Sequence, residues 1–244
     1  MTAATATTAT SEGPPAPRGG RIRQAREADI LRAAAGVFAA QGFAGATMQD
    51  IATAAGLPKA SLHYYFRHKQ ALYRAVLADL LHDWLAPADA LTADRHPHDA
   101  LGHYITEKMR LTAERPEASR LFASEVLRGA PEIGDLLRTE LRALVEDKVR
   151  VIDGWKARGW MAPDVDATHL FFTVWAATQT YADFDAQVCA VLGVARLGPD
   201  ELRRATDHVL RTVLRGCGIT DPTAPTARHP RECEDPPQEP RCDA

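Results

Sequence analysis

The chain has 244 residues, a quarter of them charged, and a formal net charge of −3. That length allows a sizeable core, but no stretch is long and apolar enough to span a membrane; the most apolar run, residues 170–177, is short and contains Thr173. The opening MTAATATTAT lacks the positive start and apolar centre of a secretory signal, so a cytoplasmic location is expected, with Cys189, Cys217, Cys233 and Cys242 as reduced thiols.

In chain order, residues 1–20 are Thr/Ala-rich and then Gly/Pro-rich and are expected to be a disordered tail. A first helix is predicted over residues 21–40, with Ile30, Leu31, Ala34, Val37 and Phe38 as its buried stripe. Gly42 and Gly45 bracket Phe43, which is placed as the plug of a three-helix core. Residues 47–66, TMQDIATAAGLPKASLHYYF, read as two short helices joined by a tight turn. Thr47 is suited to cap the first of them, since its hydroxyl can accept from a free amide of the first turn. Met48, Ile51, Ala52 and Ala55 give that helix one apolar face, and Gly56 ends it where a left-handed residue carries no Cβ penalty. Pro58 suits the opening turn of the second helix, which carries Lys59, Ser61, His63, Tyr64 and Tyr65 around Leu62 and Phe66. A short helix so rich in hydrogen-bonding side chains, propped on a small-residue helix, is the helix-turn-helix layout that enters a DNA major groove. The layout alone also fits a purely structural hairpin.

A fourth helix is predicted from Lys69 through Leu72, Val76, Leu80 and Trp84 to Pro87. Further helices are predicted near residues 100–115, 116–129, 133–158, 166–192 and 199–216, with Pro116, Pro131, Pro163 and Pro199 at or near their starts. The last two carry wide apolar faces and are the expected dimer surface. Residues 219–244 hold six prolines and are expected to be a second disordered tail. The whole is read as all-α: a three-helix helix-turn-helix domain over residues 21–68, joined to a larger ligand-binding and dimerisation domain over residues 69–218.

Charge supports the division. Residues 18–74 hold nine Lys or Arg against three Asp or Glu, or +6, leaving 20 basic and 29 acidic residues elsewhere, or −9. A basic reading head on an acidic body confines phosphate attraction to one end. Arg18, Arg21, Arg23 and Arg26 could add minor-groove or phosphate contacts, or could be no more than a solvated helix start.

Gly42–Phe43, Thr47, Ile51–Ala52, Ala55–Gly56, Leu62, Tyr64–Tyr65–Phe66, Lys69 and Leu72–Tyr73 together resemble the TetR family of bacterial repressors. In the body, RPEASRLFASEVLRGAPEI, VIDGWKARGWMAP and WAATQTYADFDAQVCAVLG look like the RutR branch of that family, regulators of pyrimidine utilisation. The resemblance implies a homodimer whose two reading helices occupy successive major grooves of a near-palindromic double-stranded DNA operator. By family position, Thr47, Tyr64 and Lys69 are expected to touch phosphates, while Lys59, Ala60, Ser61 and His63 face base edges. His63 stands where the family commonly has Tyr, so the operator sequence does not carry over.

Phe171, Trp175, Thr178, Gln179 and Ala182 are read as one helical stripe. Trp175 offers a face for stacking on a small ring, and Gln179 offers a donor and an acceptor that match the edge of an imide. The resemblance makes Trp175 and Gln179 ligand contacts and implies a pyrimidine-like effector such as uracil or thymine, while a non-pyrimidine effector stays open. Thr180 departs from the branch's His, leaving room for altered ligand choice. Phe171, Thr178, Tyr73 and Leu77 complete the expected ligand-binding residues, and Tyr73 and Leu77 are also the expected route from ligand to reading head. Glu125 is read as an exposed carboxylate at a helix edge, with a place in the pocket as the alternative. No catalytic residue, cofactor or metal is expected: the HPH of residues 96–98 has no third ligand at diagnostic spacing, His229 and Cys233 have no partner pair, and phosphate loop and nucleophile elbow are absent.

Overall fold

The computed structural model describes residues 18–220, with side chains from Arg23 onward. The expectations for the two tails, for Cys233, Cys242 and His229, and for the Arg18 and Arg21 side chains lie outside the described residues. Within them every regular element is helical. The helices are α1 (Arg18–Gly45), α2 (Met48–Ala54), α3 (Lys59–Tyr65), α4 (Lys69–Leu85), α5 (Pro97–Glu114) and α6 (Pro116–Leu127). A short α7 (Gly134–Leu136) runs through a π-turn (Leu137–Leu141) into α8 (Arg142–Ala157), and α9 (Ala167–Asp183), α10 (Asp185–Leu192) and α11 (Pro199–Gly216) follow.

The head forms as its sequence dictates. Thr47 caps α2 in a reciprocal box: the Asp50 amide donates to the Thr47 hydroxyl at 3.1 Å, and the Thr47 amide donates back to the Asp50 carboxylate at 3.2 Å. Gly56 takes φ 64°, and the Leu57 amide closes on the Ala52 carbonyl, ending α2 and turning the chain toward α3. Pro58 stands one residue before α3, as its cap. Gly42, at φ 68°, kinks the end of α1 and drops Phe43 against Phe38 and Tyr73.

Two apolar cores result. One joins Ile30, Phe38, Ile51 and Leu62 of the head to Leu72, Leu80 and Leu81 of α4 and to Leu121 and Phe122 of α6. The other packs α5, α8, α9 and α11 around Trp155, Tyr104, Ile105 and Phe171. The head therefore shares its core with the body through α4 and α6.

Three element expectations change. The helix predicted over residues 166–192 breaks at Phe184 (φ −120°, ψ 33°). Arg120 of α6 donates to the Ala182 carbonyl at 3.1 Å, and Ala186, whose amide would have used that carbonyl, donates to the Asp185 side chain at 2.8 Å. The helix predicted from residue 100 begins at Pro97, capped by His96, and α1 begins at Arg18, inside the expected tail. Ile219 is buried, and its amide bonds the Leu214 carbonyl, so the body continues past residue 218. Among the described residues Cys189 and Cys217 are both free thiols, and burial pushes the Cys217 thiol up.

Candidate DNA-reading and effector sites

On the head, Lys59, Ala60, His63 and Tyr64 are exposed on one side of α3, and Ser61 is half-buried. Tyr64 is 73% exposed, stacks edge-on with Tyr65, and lies 6.0 Å from the Arg23 guanidinium. Leu62 and Phe66 face the core, so packing on α2 turns the polar side of α3 outward. His63 approaches the Arg67 carbonyl at 3.3 Å. Two expected phosphate contacts have structural tasks as well. The Thr47 hydroxyl donates its one proton to Asp50 at 2.7 Å. Lys69 donates to the Ala46 and Ala44 carbonyls at 2.8 and 3.3 Å and lies 4.7 Å over the Phe43 ring, so its ammonium ties α4 to the end of α1.

In the body, a cavity of about 670 Å³ opens between the two cores, walled by α4, α5, α6, the π-turn and the end of α9. Trp175 and Gln179, one turn apart on α9, both face it. The Trp175 indole donates to the Tyr104 hydroxyl at 2.8 Å, fixing the ring, and Gln179 makes no hydrogen bond to another described residue. A planar, oriented aromatic face with a free amide beside it suits a small heterocycle.

The other expected effector residues stand behind the wall. Phe171 is buried against Tyr104 in the distal core. Thr178 is fully buried and gives its hydroxyl proton to the Val174 carbonyl at 2.8 Å. The stripe divides between two environments: Phe171, Val174, Thr178 and Ala182 face inward, while Trp175 and Gln179, centred about 75° round the helix, turn to the cavity. Thr180 lines a groove beside α10 and α11, not this cavity. Tyr73 and Leu77 are buried in the head-side core and do not line the wall.

Tyr73 still reaches the wall through one intermediary. Its hydroxyl lies 3.2 Å from a carboxylate oxygen of Glu125 and accepts from Arg128 at 3.1 Å. Arg128 lines the cavity and donates to the same carboxylate at 2.6 Å. Glu125 is 0% exposed, which corrects the surface reading: its other oxygen accepts the Glu132 amide at 2.7 Å, so the carboxylate is fully used inside the protein. Burial, and then the charge of Glu125, push the Tyr73 hydroxyl up to about 12.

Lys108 is the wall residue that the sequence reading missed. It is 5% exposed, on α5, with its ammonium 5.5 Å from the Trp84 ring, and burial pulls its pKa down to about 8. The available signal was its place in the apolar series Leu101, Tyr104, Ile105, Lys108 and Thr112, where a charge is out of pattern.

Residues 30–76 match the family described as bacterial regulatory proteins, tetR family, and residues 77–220 match the one described as YcdC-like protein, C-terminal region. The chain belongs to the TetR family. It is 41% identical over 196 residues to the HTH-type transcriptional regulator RutR of Escherichia coli K12, covering 80% of this chain and 92% of that one. The HTH-type transcriptional repressor NicS of Pseudomonas putida is 28% identical over 151 residues, 60% of this chain and 70% of its own. Among solved structures, a tetR-family regulatory protein from Rhodococcus RHA1 superposes with a TM-score of 0.62 at 20% identity, over 80% of this chain and 98% of its own. The ketosteroid regulator KstR2 of Mycobacterium tuberculosis gives 0.57 at 20%, over 79% and 94%. The protein is thus a helix-turn-helix regulator of transcription, like its relatives, and not an enzyme.

In this TetR-family chain the two candidate sites sit toward opposite ends of α4. Tyr73 packs on the head, while Trp84, eleven residues on and about 16 Å along the axis, walls the cavity. No helix among the described residues is long and apolar enough to cross a membrane.

Proposed function

We propose that the protein represses transcription by binding a near-palindromic operator as a homodimer, and that a small pyrimidine such as uracil or thymine modulates that binding. The observation that carries the effector reading is the free Gln179 amide beside the Trp175 ring, which Tyr104 holds in place. The resemblance to the RutR branch supplies the pyrimidine, and the cavity wall supplies matching chemistry. On the head, Lys59, Ala60, Ser61 and His63 read base edges while Tyr64 and Arg23 meet phosphates. Thr47 and Lys69 serve chiefly to hold the reading helix, since their polar groups are engaged within the head. The exposed apolar side chains Phe184, Val191 and Leu192 around α10 are where a second copy would pack.

The effector shifts operator binding only through unequal affinity for two arrangements of the heads. The route runs from Arg128 on the cavity wall to Tyr73, and from Tyr73 to Phe43 and Phe38 of α1.

A thermal-shift panel tests the effector. A ligand at about 100 times its Kd adds about 2.7 kcal/mol to the native state. Uracil and thymine are expected to raise Tm, and a shift confined to unrelated compounds would sink the pyrimidine reading. A gel shift with the DNA upstream of the protein's own gene tests the reader. The double variant Lys59→Ala, Tyr64→Ala is expected to lose binding there, and unchanged binding would remove α3 from the DNA.

A further inference from the structure

The cavity wall carries four charged groups, and three of them already have partners. Arg128 is bound to Glu125, and Arg120 to the Ala182 carbonyl and to Asp185 at 3.3 Å. Asp183 of α9 accepts the Ser119 hydroxyl at 2.5 Å on one oxygen only. Lys108 has no hydrogen-bond acceptor or ion-pair partner among the described residues, although Asp183 is near enough to act on its charge. No fully buried side-chain nitrogen or oxygen among the described residues is left without a partner, so the Lys108 ammonium keeps its solvent contact through the cavity it lines. A nearly buried ammonium without an acceptor is costly, and the acceptor that would relieve it must come from what enters the cavity.

We propose that Lys108 and Asp183 together read a second edge of the effector: Lys108 donates to a ring carbonyl, and the free oxygen of Asp183 accepts the adjacent ring N–H. This rests on the effector reading given above and deepens it. With Gln179 on one side and the Lys108–Asp183 pair on another, the cavity selects a small cyclic amide or imide that is unsubstituted on both edges. A free base fits, and a nucleoside or an N-alkylated base does not. An aromatic carboxylate meets Lys108 but offers Asp183 no proton, so the carboxylate opposes it. The other charges facing the pair, Arg120 from α6 and Arg128 beyond it, are neutralised by their own partners and do not change that preference.

The test is calorimetric titration of uracil, 1-methyluracil, 3-methyluracil and benzoate into the full chain and into the variants Lys108→Met, Lys108→Gln and Asp183→Ala. Each variant is first melted to confirm that it is folded. A hydrogen bond to a charged group predicts a loss of about tenfold or more for uracil in both Lys108 variants. In the wild type at least one methyl isomer should bind about tenfold or more below uracil, and that ratio should collapse in Asp183→Ala, where no carboxylate waits for the proton. Unchanged uracil affinity in the folded Lys108 variants, or full methyl discrimination in Asp183→Ala, overturns the proposal. If no pyrimidine binds the wild type, hydantoin and 2-pyridone decide. Binding that falls in Lys108→Met keeps the cyclic-amide reading while the pyrimidine reading fails, and no binding of any cyclic amide ends both.

Discussion

Replacing Lys108 by Met should make the ligand-free protein more stable at neutral pH. Burial lowers the Lys108 pKa from 10.5 to about 8. At 1.36 kcal/mol per unit, that difference corresponds to roughly 3 kcal/mol of penalty for holding the charged form in the native state. The Trp84 ring, 5.5 Å from the ammonium, contributes in the opposite direction, by about 1 kcal/mol. Desolvation therefore wins, and Met, of similar length and apolar, should gain about 2 kcal/mol. In a domain of this size that is a rise of roughly 4–8 °C in Tm. The sign of the pH dependence follows from linkage: between about pH 8 and 10.5 the unfolded chain keeps a proton that the native state has released. Wild-type stability from this group therefore rises with pH across that window, and the penalty is felt in full below it. The assay is calorimetric melting of exhaustively dialysed wild type and variant from pH 6.5 to 10.5, taking the difference so that shared groups cancel. A variant less stable than wild type at pH 7, or a gap still undiminished at the alkaline end, would refute the reasoning.

The Glu125 network gives three further expectations, and the head gives one. Glu125→Leu leaves the Glu132 amide without its acceptor and Tyr73 with only Arg128, at a cost of about 2–4 kcal/mol or roughly 4–16 °C in Tm, read by thermal melting. Its ion pair with Arg128 adds little to that figure, because the guanidinium side chain is 52% exposed. Tyr73→Phe should cost about 1 kcal/mol at neutral pH. With the folded-state pKa raised from 10.0 to about 12, the Tyr73 contribution is complete below pH 10 and is lost as pH rises toward 12; an ultraviolet titration comparing wild type with Tyr73→Phe shows the late phenolate directly. Thr47→Val removes the hydroxyl from the α2 cap and should cost about 1 kcal/mol, seen as a lower melting midpoint.

The head was legible in the sequence because its determinants are local. Thr47 and Asp50 are three residues apart, Gly56 needs only its own φ, and the outward face of α3 follows from Leu62 and Phe66 packing inward. The body's helices were legible for the same reason, but their ends were not always. The break at Phe184 depends on Arg120, 62 residues from the carbonyl it takes from α9, and no window of sequence contains both. The site fared likewise. Trp175 and Gln179 share a face by helical spacing, so their pairing could be read, whereas which of two adjacent stripes met the cavity depended on where α5 lay. Glu125 looked like an edge carboxylate because its partner Tyr73 is 52 residues away.

Those long-range contacts are also the ones a regulator needs. A helix that belonged to the head alone could not report on a cavity in the body. Here α4 gives Tyr73 to the head's core and Trp84 to the cavity wall, and Gln70 and Arg74 tie its first turns to Glu132 and Asp135 beyond α6. An effector that displaces Arg128 disturbs Tyr73 without touching it, and the packed ring of Phe43 leaves little room for that disturbance to be absorbed locally. Coupling of this kind requires that Glu125 hold both partners at once, so loss of Glu125 should weaken the effector's influence on DNA more than it weakens either binding event alone.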